Sequence, residues 1–325
     1  MNYQAQNPLI VQSDHSVLVE IHSPRYEEVR QKLALFAELI KSPEHIHTYR
    51  ITPLSIWNAC SAGHQAEEIC HTLTEFSKYE VPPQVLAEIS DFARRYGRIK
   101  LLSDKRHALV LQADTAEMAE EIFHLKECRL LIKERLTDKT FLIDTAFRGE
   151  IKQKLIHCGF PVEDLAGYRD GESLRINMRT ISASGQPFAL RAYQQEAAEI
   201  FYGNGSTQGG AGVLTLPCGA GKTIIGIAAM TLCQSSVLIL TTGRTSTQQW
   251  IREILDKTTL EASQIAEYSS DHKDIAAVTV ASYQIMTHRH SKEGDFTHLD
   301  LFDARDWGLV IYDEVHLLPA PVFRV

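Results

Sequence analysis

At 325 residues, 44% hydrophobic and 23% charged, the chain has room for two or three ordinary domains and is neither disordered nor fibrous in composition. A formal net charge of −8 excludes a chain that simply coats nucleic acid with positive charge, though not one with a local basic groove. The six dispersed cysteines with no CxxC pair, the absence of a signal-like N-terminal pattern, and a longest apolar stretch of only "IIGIAAM" (224–230) speak against disulfides, zinc and membrane spans, and set the expectation of a soluble cytoplasmic protein.

Taken in chain order, "LIVQ" and "SVLVEI" alternate around a polar "SDHS" turn and read as a hairpin. "SPRYEEVRQKLALFAELIKSP" reads as one amphipathic helix, with Ser23 as N-cap, Pro24 opening it and Pro43 beyond its end. His45 and His47 form an HxH pair, but no nearby ligand cluster completes a metal site. Helices are expected in "TPLSIWNACSAG", "QAEEICHTLTEFSKY" and "PPQVLAEISDFARRYG", so residues 1–96 read as a small, mostly helical domain. From 97 to 182 the character changes. "GRIKLLSDKRHALVLQAD" gives two short strands, "TAEMAEEIFHL" a helix, and "KTFLIDT", "EIKQKLIHCG" and "ESLRINMR" strand, helix and strand, which together make an α+β domain ending in a small, polar linker. The basic run "RRYGRIK" (94–100) fits a phosphate-facing edge or a solvated helix end.

Residues 183–325 alternate cleanly. The apolar runs "GVLTL" (212–216), "SVLIL" (236–240), "AVTVAS" (277–282) and "GLVIY" (308–312) are separated by helical patterns, the signature of a parallel sheet buried on both faces. Ligands bind such sheets at the carboxyl ends of the strands, and the candidate chemistry sits there. In "LPCGAGKT" (216–223), Gly219, Ala220 and Gly221 can turn backbone N–H groups inward as an anion nest at a helix start. Lys222 would then reach the β- and γ-phosphates, and the Thr223 hydroxyl would ligate Mg²⁺. Leu216 stands where the strict phosphate-loop pattern has its first glycine. In "YDEVH" (312–316), Asp313 is placed to hold Mg²⁺ and Glu314 to orient or deprotonate a water. Two adjacent carboxylates at a buried strand end repel unless a cation sits with them. In "LRAYQQEAA" (190–198), the Gln194 carboxamide offers donor and acceptor in one plane for an adenine edge, or is plain surface decoration. The loop "TTGRTSTQQW" (241–250) suits phosphate-backbone contact and equally a capped turn.

In this order the motifs resemble the adenine motif and motifs I, Ia, Ib ("TVASYQIM") and II of superfamily 2 helicases. More narrowly, "LPCGAGK" with "DEVHLLPAPVFRV" resembles the XPB type, and the missing first glycine is also normal in the superfamily it resembles. "NPLIVQSDHSVLVEIHSPRYEE", "HIHTYRITPLSIWNACSAG" and "YGRIKLL" are similar to the N-terminal region of that family, and residues 97–182 fall where it carries a damage-recognition domain. The resemblance implies an ATP- and Mg²⁺-dependent 3′-to-5′ motor on double-stranded DNA in repair or transcription, with repair or transcription proteins as partners. It implies Lys222, Glu314 and His316 as catalytic residues, with His316 coupling hydrolysis to domain movement. Gln194 would read adenine, and Thr242, Arg244 and Thr245 would contact DNA. The fold expected is therefore multidomain, ending in an incomplete RecA-like α/β domain. The motif III strand, which in such sheets lies between the strands of motifs I and II, and a second RecA-like domain are both absent from the sequence. That carries the expectation of an N-terminal fragment, inactive alone. The competing reading is a non-catalytic chain that binds DNA or a partner and retains a nucleotide site. A kinase or GTPase is disfavoured, since no guanine-specifying NKxD follows.

Overall fold

The computed structural model describes residues 3–104, 108–168, 170–207, 209–217, 219–289 and 297–315. The chain divides into two compact units, Met1–Gly167 and Tyr168–Val325.

The first unit begins with the expected hairpin, β1 (Leu9–Val11) against β2 (Ser16–Glu20), antiparallel. The long helix expected over residues 24–42 is two elements. α1 (Tyr26–Leu33) stops early with Arg25, not Ser23, at its N-cap, and Glu38–Lys41 is strand β3, paired with β4 (Ile46–Arg50). Cross-strand pairing captures "ELIK" although its local pattern is equally compatible with a helix, a tertiary override of local preference. The sheet runs β1-β2-β4-β3, so helices dominate this region but rest on four strands. Helices α2 (Pro53–Ser61), α3 (Ala66–Phe76) and α4 (Pro83–Arg95) follow as expected. Thr52 caps α2 reciprocally with Ser55, and Pro53 occupies the first turn, where its missing N–H costs nothing. Leu9, Val17, Leu33, Ile56, Leu73 and Phe76 form the core.

A second core in this unit lies on a five-stranded mixed sheet. Strands β5 (Ile99–Ser103) and β6 (Leu109–Ala113), helix α5 (Ala116–His124), strand β8 (Thr140–Ile143) and helix α7 (Arg148–His157) are the elements the sequence leads one to expect. The short helix α6 (Lys126–Arg129), β7 (Ile132–Arg135) and β9 (Val162–Asp164), which pairs parallel with β5, were not legible. "ESLRINMR" is not a strand of this sheet. It belongs to the second unit as an irregular strap, where the Glu172 carbonyl accepts from Ser236 N–H (2.8 Å) and Leu174 N–H donates to the Gln234 carbonyl (2.9 Å). By contact this strap groups with the second compact unit, which begins at Tyr168.

In the second unit, α8 (Ala192–Tyr202) and α9 (Lys222–Cys233) precede β10 (Val237–Thr241), α10 (Arg244–Lys257), β11 (Ile265–Tyr268), β12 (Val278–Ser282), α11 (Tyr283–Met286) and β13 (Leu309–Tyr312). The four strands form an all-parallel sheet, β11-β12-β10-β13. Period-two alternation sends Val237 and Ile239 to the face covered by Ile227 and Met230 of α9 and by Trp250 and Ile254 of α10. Leu238 and Leu240 face the other way, against Tyr283, Met286 and Leu301. Helix α9 is apolar nearly all round because its other side packs on Ala198 of α8.

The strand expected at 212–216 is not formed. That segment is irregular, with Val213 74% exposed. β13 is the edge strand of the sheet among the described residues, but 212–216 does not pair with it, and a strand exists only by pairing its backbone groups. Among the described residues no helix is long and apolar enough to cross a membrane.

Candidate nucleotide site

Two segments distant in sequence meet at the carboxyl end of this sheet. The first is the glycine loop. Gly219 and Gly221 have φ of +79° and +84°, the left-handed region in which glycine is unstrained, and Gly221 is the N-cap of α9. A Cβ built on Gly219 would meet nothing within 4 Å, so open space lies over the loop. The second is the turn after β13. Asp313 N–H donates to the Leu240 carbonyl at 2.8 Å, extending the ladder by one bond. Glu314 then adopts φ +54°, a conformation a non-glycine residue holds only where its surroundings impose it. Such strain gathers at functional sites. The segments touch where Lys222 Nζ lies 3.3 Å from Glu314 Oε1, with both side chains about a third exposed.

Asp313 is held from several sides. Its Oδ2 accepts from Ser246 Oγ at 3.1 Å and from Trp250 Nε1 at 3.0 Å, and its backbone carbonyl accepts from the Tyr283 hydroxyl at 2.7 Å. Burial, reinforced by the Asp313 charge, pushes the Tyr283 phenol well above its ordinary pKa, so it stays a donor. Ser246, Trp250 and Tyr283 were not singled out from sequence. The available signal was the i, i+4 spacing of Ser246 and Trp250, which puts both on one face of a helix next to the acidic strand.

Gln194 is brought to the loop but is not turned outward. It is 5% exposed, its Oε1 accepts from Arg191 N–H at 3.0 Å and its Nε2 donates to the Ala220 carbonyl at 3.2 Å. Both ends of the carboxamide are thus engaged with main chain, and an adenine would have to replace one of them. Thr242, Arg244 and Thr245 cluster where α10 begins. Arg244 is 71% exposed, with Asp271 Oδ2 at 3.4 Å, and the Thr242 carbonyl accepts from Gln284. His316 and the "PAPVFRV" tail lie outside the described residues. In the basic run, Arg94 pairs with Asp91, Arg98 with Asp114 and Lys100 with Glu163, so three of its four cations already face a carboxylate.

The donor set fits a hard divalent cation. Thr223 and Asp313 offer oxygen, the ligand type Mg²⁺ takes. Asp313 Oδ1 has no partner among the described residues, although its twin has two.

A parallel sheet bearing a glycine loop at the start of one helix and an acidic turn after its last strand is an α/β domain with its candidate site at the carboxyl ends of the strands. Residues 187–324 match the family model described as type III restriction enzyme, res subunit, and residues 9–137 match the helicase conserved C-terminal domain. The "DNA 3'-5' helicase XPB" of Kineococcus radiotolerans is 46% identical over 98% of this chain and 55% of its own length. That of Mycobacterium tuberculosis is 45% identical over 98% and 56%. The "General transcription and DNA repair factor IIH helicase/translocase subunit XPB" of Enterocytozoon bieneusi is 27% identical over 98% and 53%. Among solved structures, the UvsW helicase of bacteriophage T4 matches 67% of this chain and 83% of its own, with 15% identity and a TM-score of 0.39. The chain belongs to the XPB-type family of superfamily 2 helicases. It spans about half the length of the curated relatives it matches.

Proposed function

We propose that this chain carries the nucleotide site of an ATP-dependent 3′-to-5′ helicase or translocase that works on double-stranded DNA in repair or transcription. The observation that carries the reading is the convergence of Lys222 and Glu314, 3.3 Å apart though 91 residues separate them in the chain. An ammonium beside a carboxylate is an arrangement that phosphate can enter, because the cation can turn from Glu314 to the anion.

In this reading the backbone N–H groups of Gly219 to Gly221 and the start of α9 bind phosphate. Lys222 stabilises charge on the terminal phosphates, and Thr223 and Asp313 hold Mg²⁺. Mg²⁺, when bound, offsets negative charge on the phosphate oxygens. Glu314, once Lys222 has turned away, is the base that orients water. Gln194 reads adenine after leaving the Ala220 carbonyl, and His316 couples hydrolysis to movement. Thr242, Arg244 and Thr245 contact one DNA strand, with phosphate displacing Asp271 from Arg244. We place residues 1–96 as the family's N-terminal domain and the α+β region from 97 as its damage-recognition-like module. Partners would be repair or transcription proteins, in the cytoplasm or at the nucleoid.

Turnover by this chain alone is expected to be low, because the loop leading into Gly219 hangs outside the sheet and does not hold the phosphates rigidly. The test is binding of a fluorescent ATP analogue with Mg²⁺ to the full chain and to Lys222→Ala. Loss of one charge-assisted contact, about 1.5–3 kcal/mol, weakens binding about tenfold or more. Wild-type chain that binds no nucleotide overturns the reading. Binding without DNA-stimulated turnover in any context, including chain extended to the length of its relatives, favours the retained-site alternative.

A further inference from the structure

Trp250 is 2% exposed and packs against the helix that follows the glycine loop. A Cβ at Gly226 of α9 would come within 2.6 Å of its Cη2, so the indole is clamped between α9 and its own helix. An indole has one polar atom, a donor with a fixed direction. Here that donor is spent on a carboxylate oxygen, Asp313 Oδ2, at 3.0 Å. Ser246, one turn earlier on the same face, donates to the same oxygen at 3.1 Å.

The choice of one oxygen by two donors is what matters. An unrestrained carboxylate rotates and exchanges its two oxygens. Two donors from a rigid helix onto Oδ2 stop that exchange and leave Oδ1 as the oxygen without a partner among the described residues. Packing alone would need the ring of Trp250 but not its N–H, and would not need the Ser246 hydroxyl at all.

We propose that Ser246 and Trp250 are positioning residues for the metal-binding carboxylate, fixing Asp313 so that Oδ1 is presented to a divalent cation. This rests on the reading of Asp313 as a Mg²⁺ ligand. Groups that orient a ligating carboxylate in this way typically contribute 10- to 100-fold to metal affinity. The arrangement also ties the cation site to α10, the helix that starts with Arg244 and Thr245.

The test uses the full chain and titrates Mg²⁺ against the binding of a fluorescent ADP analogue, with an EDTA arm for nucleotide alone. Trp250→Phe keeps the ring and removes the donor. Ser246→Ala is small enough to keep the fold if the tryptophan variant does not, and Ser246→Thr restores a hydroxyl. The expected result is an apparent Mg²⁺ affinity about tenfold weaker in Trp250→Phe and in Ser246→Ala. Ser246→Thr is expected near wild type, and nucleotide affinity in EDTA the same in all four proteins. Variants with wild-type Mg²⁺ dependence overturn the inference alone. A wild-type chain with no Mg²⁺-dependent nucleotide binding overturns the nucleotide reading and this inference together.

Discussion

The two arms of the candidate site are built to different standards. The acidic arm ends a strand in a parallel sheet, and its aspartate is gripped through side chain and main chain by α10 and α11. The glycine arm is anchored by α9 and by Tyr193 and Gln194 of α8, which donate to the Ala220 carbonyl, while the segment leading into it runs outside the sheet and exposes Val213 and Leu214. Both segments have the apolar composition of buried strands. The difference is a partner: β13 has β10 beside it, and 212–216 has no strand beside it among the described residues. Composition makes a strand available, and pairing makes it a strand.

That contrast can be broken by substitution. The largest effect is expected for Ile239→Ala in β10, fully buried between α9 and α10. Deleting its side chain should cost about 2–5 kcal/mol in denaturant unfolding. Next comes Gly226→Ala. The added methyl has the Trp250 ring 2.6 Å away, and overpacking of this kind costs about 1–3 kcal/mol. A comparable melting temperature to wild type would show that the ring is not clamped.

Gly221→Ala probes the anchored end of the glycine arm. It puts a side chain at φ +84° and a Cβ 2.5 Å from Gln194 Nε2, so a loss of about 1–2 kcal/mol and weaker nucleotide binding are expected. The smallest effect is expected for Val213→Ala, within about 0.5 kcal/mol, because that side chain is already in water. Amide hydrogen exchange sharpens the same point. Residues 237–241 should be protected and 212–216 should exchange rapidly. Strong protection at 212–216 would mean that the segment finds a ladder after all.

Much of this was legible in the chain. Strands β10, β12 and β13 are continuous apolar runs, as parallel strands covered on both faces must be, and the glycine loop and acidic pair stand out beside them. β11, only partly buried at three of its four positions, carries too weak a pattern to be read. "ELIK" and "GVLTL" failed in opposite directions for one reason: the first found a partner strand that its local pattern does not announce, and the second did not find one.

By itself, then, the sequence determined a glycine-rich loop, an adjacent acidic pair, and the apolar runs that bury a parallel sheet. These are local properties, carried by backbone freedom at glycine, charge and hydrophobic pattern. The tertiary structure decided which runs became strands, that Gln194 turns inward onto the Ala220 carbonyl, and that Ser246 and Trp250 close on Asp313. Those outcomes depend on which backbone groups and side chains meet across tens of residues, and no local pattern encodes such a meeting.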